Sequence, residues 1–202
     1  MMDADAIDDI REPVFTFPPD EGELVAREFA HATSILEYGS GGSTVLAARS
    51  TTADVLSIES DPVWAENMTT FLASKNLGGD RVKIHWSDVG PTGKWGYPKD
   101  QSKFRKYPSY AFCPWEDFDV SPDVVLIDGR FRLACFAATL LFVKKPTTVL
   151  FGEYAVRKAY QPAGQFAQPV KTMGRMSKFV IEPRDYSAQE YATMTRWFFL
   201  MV

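Results

Sequence analysis

Apolar residues fall along this chain in two alternating rhythms. Leu24, Val25, Phe29 and Ala30 recur at helical spacing behind Asp20, a capping residue type, and predict a helix over 20–32 that ends at His31. Short continuous apolar runs follow at 35–38, 55–58, 82–86, 123–127 and 147–151, each of strand length. Helical stretches lie between them at 43–50, 62–75 and 130–143. Pro62 suits a first turn, where its missing N–H costs nothing, and Asn76-Leu77-Gly78-Gly79 stops that helix. Beyond the fifth strand the pattern predicts a short helix over 154–166, weakened by Pro162 and Gly164. A hairpin of 170–173 and 176–181 then turns at Gly174 and Arg175. Residues 187–199 read as a closing helix or a final strand, with helix favoured. Residues 89–119, rich in Pro, Gly and aromatic side chains, carry neither rhythm and read as an irregular, lid-like insert.

Apolar strands alternating with helices predict an α/β fold. The expected architecture is a doubly wound, mostly parallel Rossmann-like sheet in three α/β/α layers, with the late strands as a C-terminal antiparallel hairpin. The whole of 1–202 reads as one domain with a flexible tail over 1–15. Such sheets bind ligands outside the carboxyl ends of their strands. The positions that matter are therefore 37–44, 59–61, 87–90, 128–130 and 152–154.

Charge and composition narrow the partners. The net charge of -4 argues against a global grip on nucleic acid or anionic membrane. Two cysteines, Cys113 and Cys135, make neither a disulfide framework nor a zinc site. The N-terminus MMDADAIDD is acidic, unlike a secretory signal, and the longest apolar stretch, 131–143, is short of a membrane span and contains Arg132. A cytoplasmic protein acting on a small molecule is the expectation, with the oligomeric state left open.

Residues 35–44 read ILEYGSGGST. Gly39 and Gly41 permit a tight turn and close approach of a ligand, and the helix beginning near Gly42 or Ser43 aims its N–H groups at that ligand. Glu59 ends the second strand, where a carboxylate suits a ribose diol; a solvated strand-end acid is the alternative. A dinucleotide fingerprint needs Gly or Ala where Thr44 stands, and pyrophosphate disfavours Glu37 just before the first glycine. A cationic cofactor without phosphates tolerates that acid. S-adenosylmethionine fits, with its sulfonium and amino group near Glu37 and its ribose at Glu59.

On these residues the chain resembles class I S-adenosylmethionine-dependent methyltransferases. Glu37-Tyr38-Gly39-Ser40-Gly41-Gly42-Ser43 looks like their first motif, Ile58-Glu59-Ser60-Asp61 their second, and Trp86-Ser87-Asp88-Val89 their third, which meets the adenine. Residues 123–129 resemble the fourth strand, which ends near the methyl group. The similarity spans about 33–183, with Ser43 where the first motif often has a further glycine. The combination of EYGSGGST, GPTGKWGYP and LIDGRFR is similar to bacterial methyltransferase-like proteins. The resemblance implies S-adenosylmethionine as cofactor and S-adenosylhomocysteine as product. The implied cofactor contacts are Glu37, Gly39, Ser40, Gly41, Ser43, Glu59, Ser60, Asp88 and Asp128, and the implied reaction is O- or N-methylation of a small molecule.

Asp128 ends the fourth strand and is the first candidate for a substrate-orienting group or base; capping of the next helix is its structural alternative. Glu153, at the end of the fifth strand, is the second catalytic candidate, or the partner of Arg157 in an i,i+4 pair. The two acids resemble the pair in metal-dependent catechol-type O-methyltransferases, and hard oxygen ligands suit magnesium. Tyr154, however, stands where that group has an amide ligand, so no metal residues are assigned. Trp95, Arg130, Arg132 and Arg157 are the substrate candidates, the arginines suiting an anionic group. Two rival readings remain: a non-catalytic nucleotide-binding protein of the same fold, and an NAD-dependent oxidoreductase, disfavoured by Thr44 and Glu37.

Overall fold

The computed structural model describes residues 12–201. Its helices and strands are α1 (Pro19–Ala30), β1 (Ser34–Tyr38), α2 (Gly42–Ser50), β2 (Asp54–Glu59), α3 (Pro62–Ser74), β3 (Val82–Trp86), α4 (Tyr107–Glu116), β4 (Val124–Ile127), α5 (Arg132–Phe142), β5 (Thr147–Phe151), β6 (Lys171–Met173), β7 (Met176–Ile181) and α6 (Ala188–Trp197). They form one seven-stranded sheet of order β3-β2-β1-β4-β5-β7-β6. Strands β1 to β5 are parallel, and β7 enters antiparallel between β5 and β6. The chain winds outward from β1 to β3 and then resumes on the other side at β4. The topological switch therefore lies between β1 and β4, as expected for a doubly wound sheet.

Alternation along each strand sorts side chains between two cores. Leu36, Tyr38, Val125, Ile127, Val149 and Phe151 join the side chains of α4, α5 and α6 on one face. Ile35, Val55, Val124, Leu126 and Leu150 pack with α1, α2 and α3 on the other. This is why the strands read as unbroken apolar runs: both faces are covered. It also aims Glu37, in phase with Ile35, at the α2 face.

Three stretches differ from expectation. The insert 89–119 is not irregular throughout, since it contains α4. Its sequence YPSYAFCPWE disguises a helix: Pro108 is tolerated in the first turn, and burial of Tyr107, Tyr110, Ala111, Cys113 and Pro114 overrides poor propensity. Pro114 cannot donate to the Tyr110 carbonyl, which takes a Cys113 Sγ contact at 3.7 Å instead. The helix expected over 154–166 is a turn followed by a 3-10 helix, Lys158–Gln165, the outcome that Pro162 and Gly164 favour. The helix expected from Arg130 starts at Arg132, because Phe131 takes left-handed backbone angles (φ 51°, ψ 41°). Of the expected tail, residues 1–11 lie outside the described residues. Glu12 pairs with Arg49, and a Cβ on Gly42 would lie 2.5 Å from the Phe15 backbone, so residues 14–15 run directly over the start of α2. No helix among the described residues is long and apolar enough to cross a membrane.

Candidate functional site

The loops leaving β1 and β4 meet at the switch point. Gly39 N–H donates to Ile58 O at 2.8 Å, and Asp128 N–H to Tyr38 O at 3.1 Å, so each loop starts anchored to its neighbouring strand. A Cβ on Gly39 would lie 2.5 Å from Gly129 Cα, and Gly39 has φ 98°. Gly39 thus makes the tight turn that the sequence suggested, and backbone packing on Gly129 is by itself enough to require glycine there. Gly41 differs: a Cβ there meets nothing within 4 Å. The open ground of this loop is over Gly41, at the N-terminus of α2.

Beneath that ground lies Glu37, only 1% exposed. Its carboxylate accepts hydrogen bonds from Ser43 Oγ, Thr44 Oγ1 and, at 2.8 Å, Ser57 Oγ. Thr44 Oγ1 also accepts from Gly41 N–H at 2.9 Å and so ties the loop to the acid. Burial raises the Glu37 carboxyl from 4.5 to about 7; the three hydroxyls oppose that rise and Asp128 adds to it. Thr44, read in the sequence only as a departure from a dinucleotide fingerprint, is a brace. Ser57 was missed, although a lone polar residue inside an apolar strand, in register with Glu37, was a readable signal.

Glu59 is buried at the end of β2. It accepts from Ser40 N–H and Oγ–H at 3.2 and 3.1 Å, from Ser60 N–H at 2.7 Å and from Asp61 N–H at 2.9 Å. It is therefore a hub joining the first two motif loops rather than a solvated acid. Ser60 Oγ–H donates to Gly96 O at 3.0 Å, and Thr92 Oγ1–H to Asp61 Oδ2 at 3.0 Å. These bonds fix a tight hairpin, residues 91–99, closed by Gly93 N–H to Tyr97 O (2.7 Å) and Lys99 N–H to Pro91 O (2.9 Å). Trp95 stands at its tip, 74% exposed. Asp88 is drawn to Lys106 and to Gly90 N–H (2.8 Å), and these contacts hold its carboxyl below the usual range.

At the ends of β4 and β5 the acids are paired. Asp128 meets Arg132 at 2.8 Å and does not cap α5. Burial raises the Asp128 carboxyl, with Arg132 opposing and Glu153 reinforcing, while 31% of the side chain stays exposed. Arg132 itself is buried and donates to Gly129 O (3.1 Å), Gly152 O (2.8 Å) and Asp128 O (2.7 Å). It braces the loops after β4 and β5 and does not face the open site, contrary to its reading as a substrate contact. Glu153 meets Arg157 and, at 3.2 Å, Arg175, whose guanidinium also bonds the buried Glu21 of α1. Arg175 and Glu21 carried no sequence signal, because only the turn between β6 and β7 brings them together. Arg130 lies over the Tyr97 ring, 3.8 Å from its centroid. Among the described residues, no group of three or more His, Cys, Asp or Glu gathers as a metal site.

Backbone strain marks the same edge. Four non-glycine residues have positive φ among those described, and three of them, Trp95 (61°), Phe131 (51°) and Glu153 (59°), lie in loops beyond the carboxyl ends of β3, β4 and β5. Each such residue costs on the order of 1 kcal/mol or more and persists only where its surroundings hold it.

This sheet order, with a glycine loop at the switch and acids ending β1, β2 and β4, defines the class I methyltransferase fold. Comparison with solved structures agrees. A methyltransferase-like protein from Silicibacter pomeroyi is 40% identical, with 93% of this chain and 98% of that chain covered and a TM-score of 0.88. An O-methyltransferase from Bacillus cereus in complex with SAH is 17% identical over 88% of each chain (TM-score 0.57). A SAM-dependent O-methyltransferase from Thermotoga maritima is 14% identical over 91% of this chain and 72% of its own (TM-score 0.55). These last two show the fold alone. No protein-family model and no curated protein matches the chain. The chain belongs to the family of the methyltransferase-like proteins, on the fold that S-adenosylmethionine-dependent O-methyltransferases share.

Proposed function

We propose that this protein methylates an oxygen or nitrogen of a small molecule, with S-adenosylmethionine as donor. The observation that carries this reading is the buried Glu37 directly under the open N-terminus of α2. A helix N-terminus alone favours phosphate. Glu37 beneath it, whose carboxyl ionises as pH rises through about 7, turns the preference toward a cation, and a sulfonium with an α-amino group has that character. The residues present fit such a cofactor: Gly41 and Ser40 border the open ground, Ser43 and Glu37 lie beneath it, and Glu59 with Ser60 meets the ribose hydroxyls when the serine hydroxyls rotate away. When bound, the cofactor supplies an electrophilic methyl group.

The chain's own task is then alignment and proton handling in a water-poor pocket. Asp128, partly open and with a raised carboxyl pKa, orients the acceptor and takes its proton. Arg132 holds that carboxylate in place, and Glu153, engaged by two arginines, positions the arginine side of the site. Asp88 holds the insert through Lys106 beside the adenine end, and Trp95 on the hairpin tip covers the acceptor.

Titration with S-adenosylhomocysteine and with NAD tests the reading. At a ligand concentration 100 times the dissociation constant, binding is expected to stabilise the fold by about 2.7 kcal/mol and to raise its melting temperature by several degrees. A rise with NAD and none with S-adenosylhomocysteine would refute methyl transfer. Binding of S-adenosylhomocysteine with no turnover across a broad acceptor panel would favour the non-catalytic alternative.

A further inference from the structure

The strand-end arginines divide into two kinds. Arg132 and Arg175 are structural, their guanidinium groups engaged by carbonyls and carboxylates. Arg130 is different. Its guanidinium lies over Tyr97, with Cζ 3.8 Å from the ring centroid; its side-chain partner is Tyr97, and among the described residues it forms no ion pair with a carboxylate. A guanidinium carries its donors in its own plane as a fork, the geometry that suits a bidentate oxygen anion. Arg157 keeps 48% of its side chain exposed and meets Glu153 through Nε.

The arginines share this edge with Asp128, Glu153 and Glu21 and, toward the first two strands, with Glu37 and Glu59. Around Tyr97 itself the acting charges are those of Arg130 and Arg157. Tyr97 reports the same field: burial raises its phenol, yet Arg130 and Arg157 outweigh burial and the net shift is downward. Tyr97 is also held on a hairpin pinned to Ser60 and Asp61, so the aromatic wall beside the two arginines is built in.

We propose that the methyl acceptor carries an anionic oxygen group, a carboxylate or a phosphate, seated by Arg130 and Arg157 against Tyr97. This rests on the methyl-transfer reading for the word acceptor, but the anion site stands on its own geometry. Its occupant lies beside Asp128, so the anion anchors the molecule while a neighbouring oxygen or nitrogen faces the base.

Calorimetric titration of the full chain with benzoate, phenyl phosphate and neutral benzamide, each with and without saturating S-adenosylhomocysteine, tests this. At least one anion is expected to bind tenfold or more tightly than benzamide, and which one does so separates carboxylate from phosphate. Arg130→Gln is expected to remove that preference while S-adenosylhomocysteine affinity stays within twofold. Arg157→Gln serves as the second variant should the first not fold, and Arg130→Lys is expected to recover only part of the affinity. Equal binding of benzamide and both anions, no anion binding by the wild-type protein, or full anion affinity in the folded glutamine variants would overturn the proposal. Failure of S-adenosylhomocysteine to bind the wild-type protein removes the methyl-transfer reading separately, and the anion titrations still decide the site.

Discussion

At the residue scale the site is governed by a few carboxylates whose partners are now visible. Glu37 has a folded-state pKa of about 7 against an ordinary 4.5. Between those values the unfolded chain has lost its proton and the folded chain has kept it, so the stabilising contribution is complete below about 4.5 and disappears as pH rises through 7. The change amounts to ~3 kcal/mol. Glu37→Gln, which does not titrate, is expected to flatten the decline in stability between pH 5 and 7.5 in urea denaturation. An unchanged slope would show that another group is responsible. At this scale the sequence singled out several acids and glycines but not what each one touches. Arg130 and Arg132 are two residues apart and chemically identical in sequence. One is buried among carbonyls and the other lies on a tyrosine, because Phe131 between them reverses the backbone. Gly39 shows the same limit: its need for glycine was legible, but the reason, Gly129, comes from the loop after β4, far along the chain.

Among the elements, legibility followed how much of the structure was decided locally. Five parallel strands and the helices α1 to α3 could be read because apolar period, Pro62 and the glycine stops all agreed. The closing helix α6 carries its own start signal: Ser187 accepts from Glu190 N–H at 3.3 Å, and Glu190 accepts from Ser187 N–H at 2.8 Å, a reciprocal capping box. Ser187→Ala is expected to destabilise the protein by ~1 kcal/mol in urea denaturation. A loss below a few tenths would mean that packing of Met194 and Trp197, not the cap, holds α6. Helix α4 was illegible for the opposite reason. It forms because Tyr38 Oη–H donates to Ala111 O at 2.7 Å and Tyr110 Oη–H to Ile58 O at 3.2 Å, contacts that no local window contains.

For the whole molecule, alternation of strand and helix was enough to imply the doubly wound sheet, and with it the edge at which sheets of this kind bind ligands. It could not imply the charge map of that edge, since the cluster of Glu21, Asp128, Glu153 and four arginines draws on α1, the loops after β4 and β5, and the turn between β6 and β7. The hairpin of 91–99 joins the two halves of the site. It stands on Ser60 and Asp61 at the end of β2 and reaches Arg130 beyond β4. Its footing therefore lies where the nucleoside would sit, and its tip lies where the acceptor would sit. Turnover is then expected to follow a compulsory order, with the donor taken up before the acceptor is admitted and the demethylated donor leaving last. Steady-state kinetics would show it: an inert acceptor analogue should inhibit uncompetitively against S-adenosylmethionine, and a mixed pattern would mean that the two ligands enter independently.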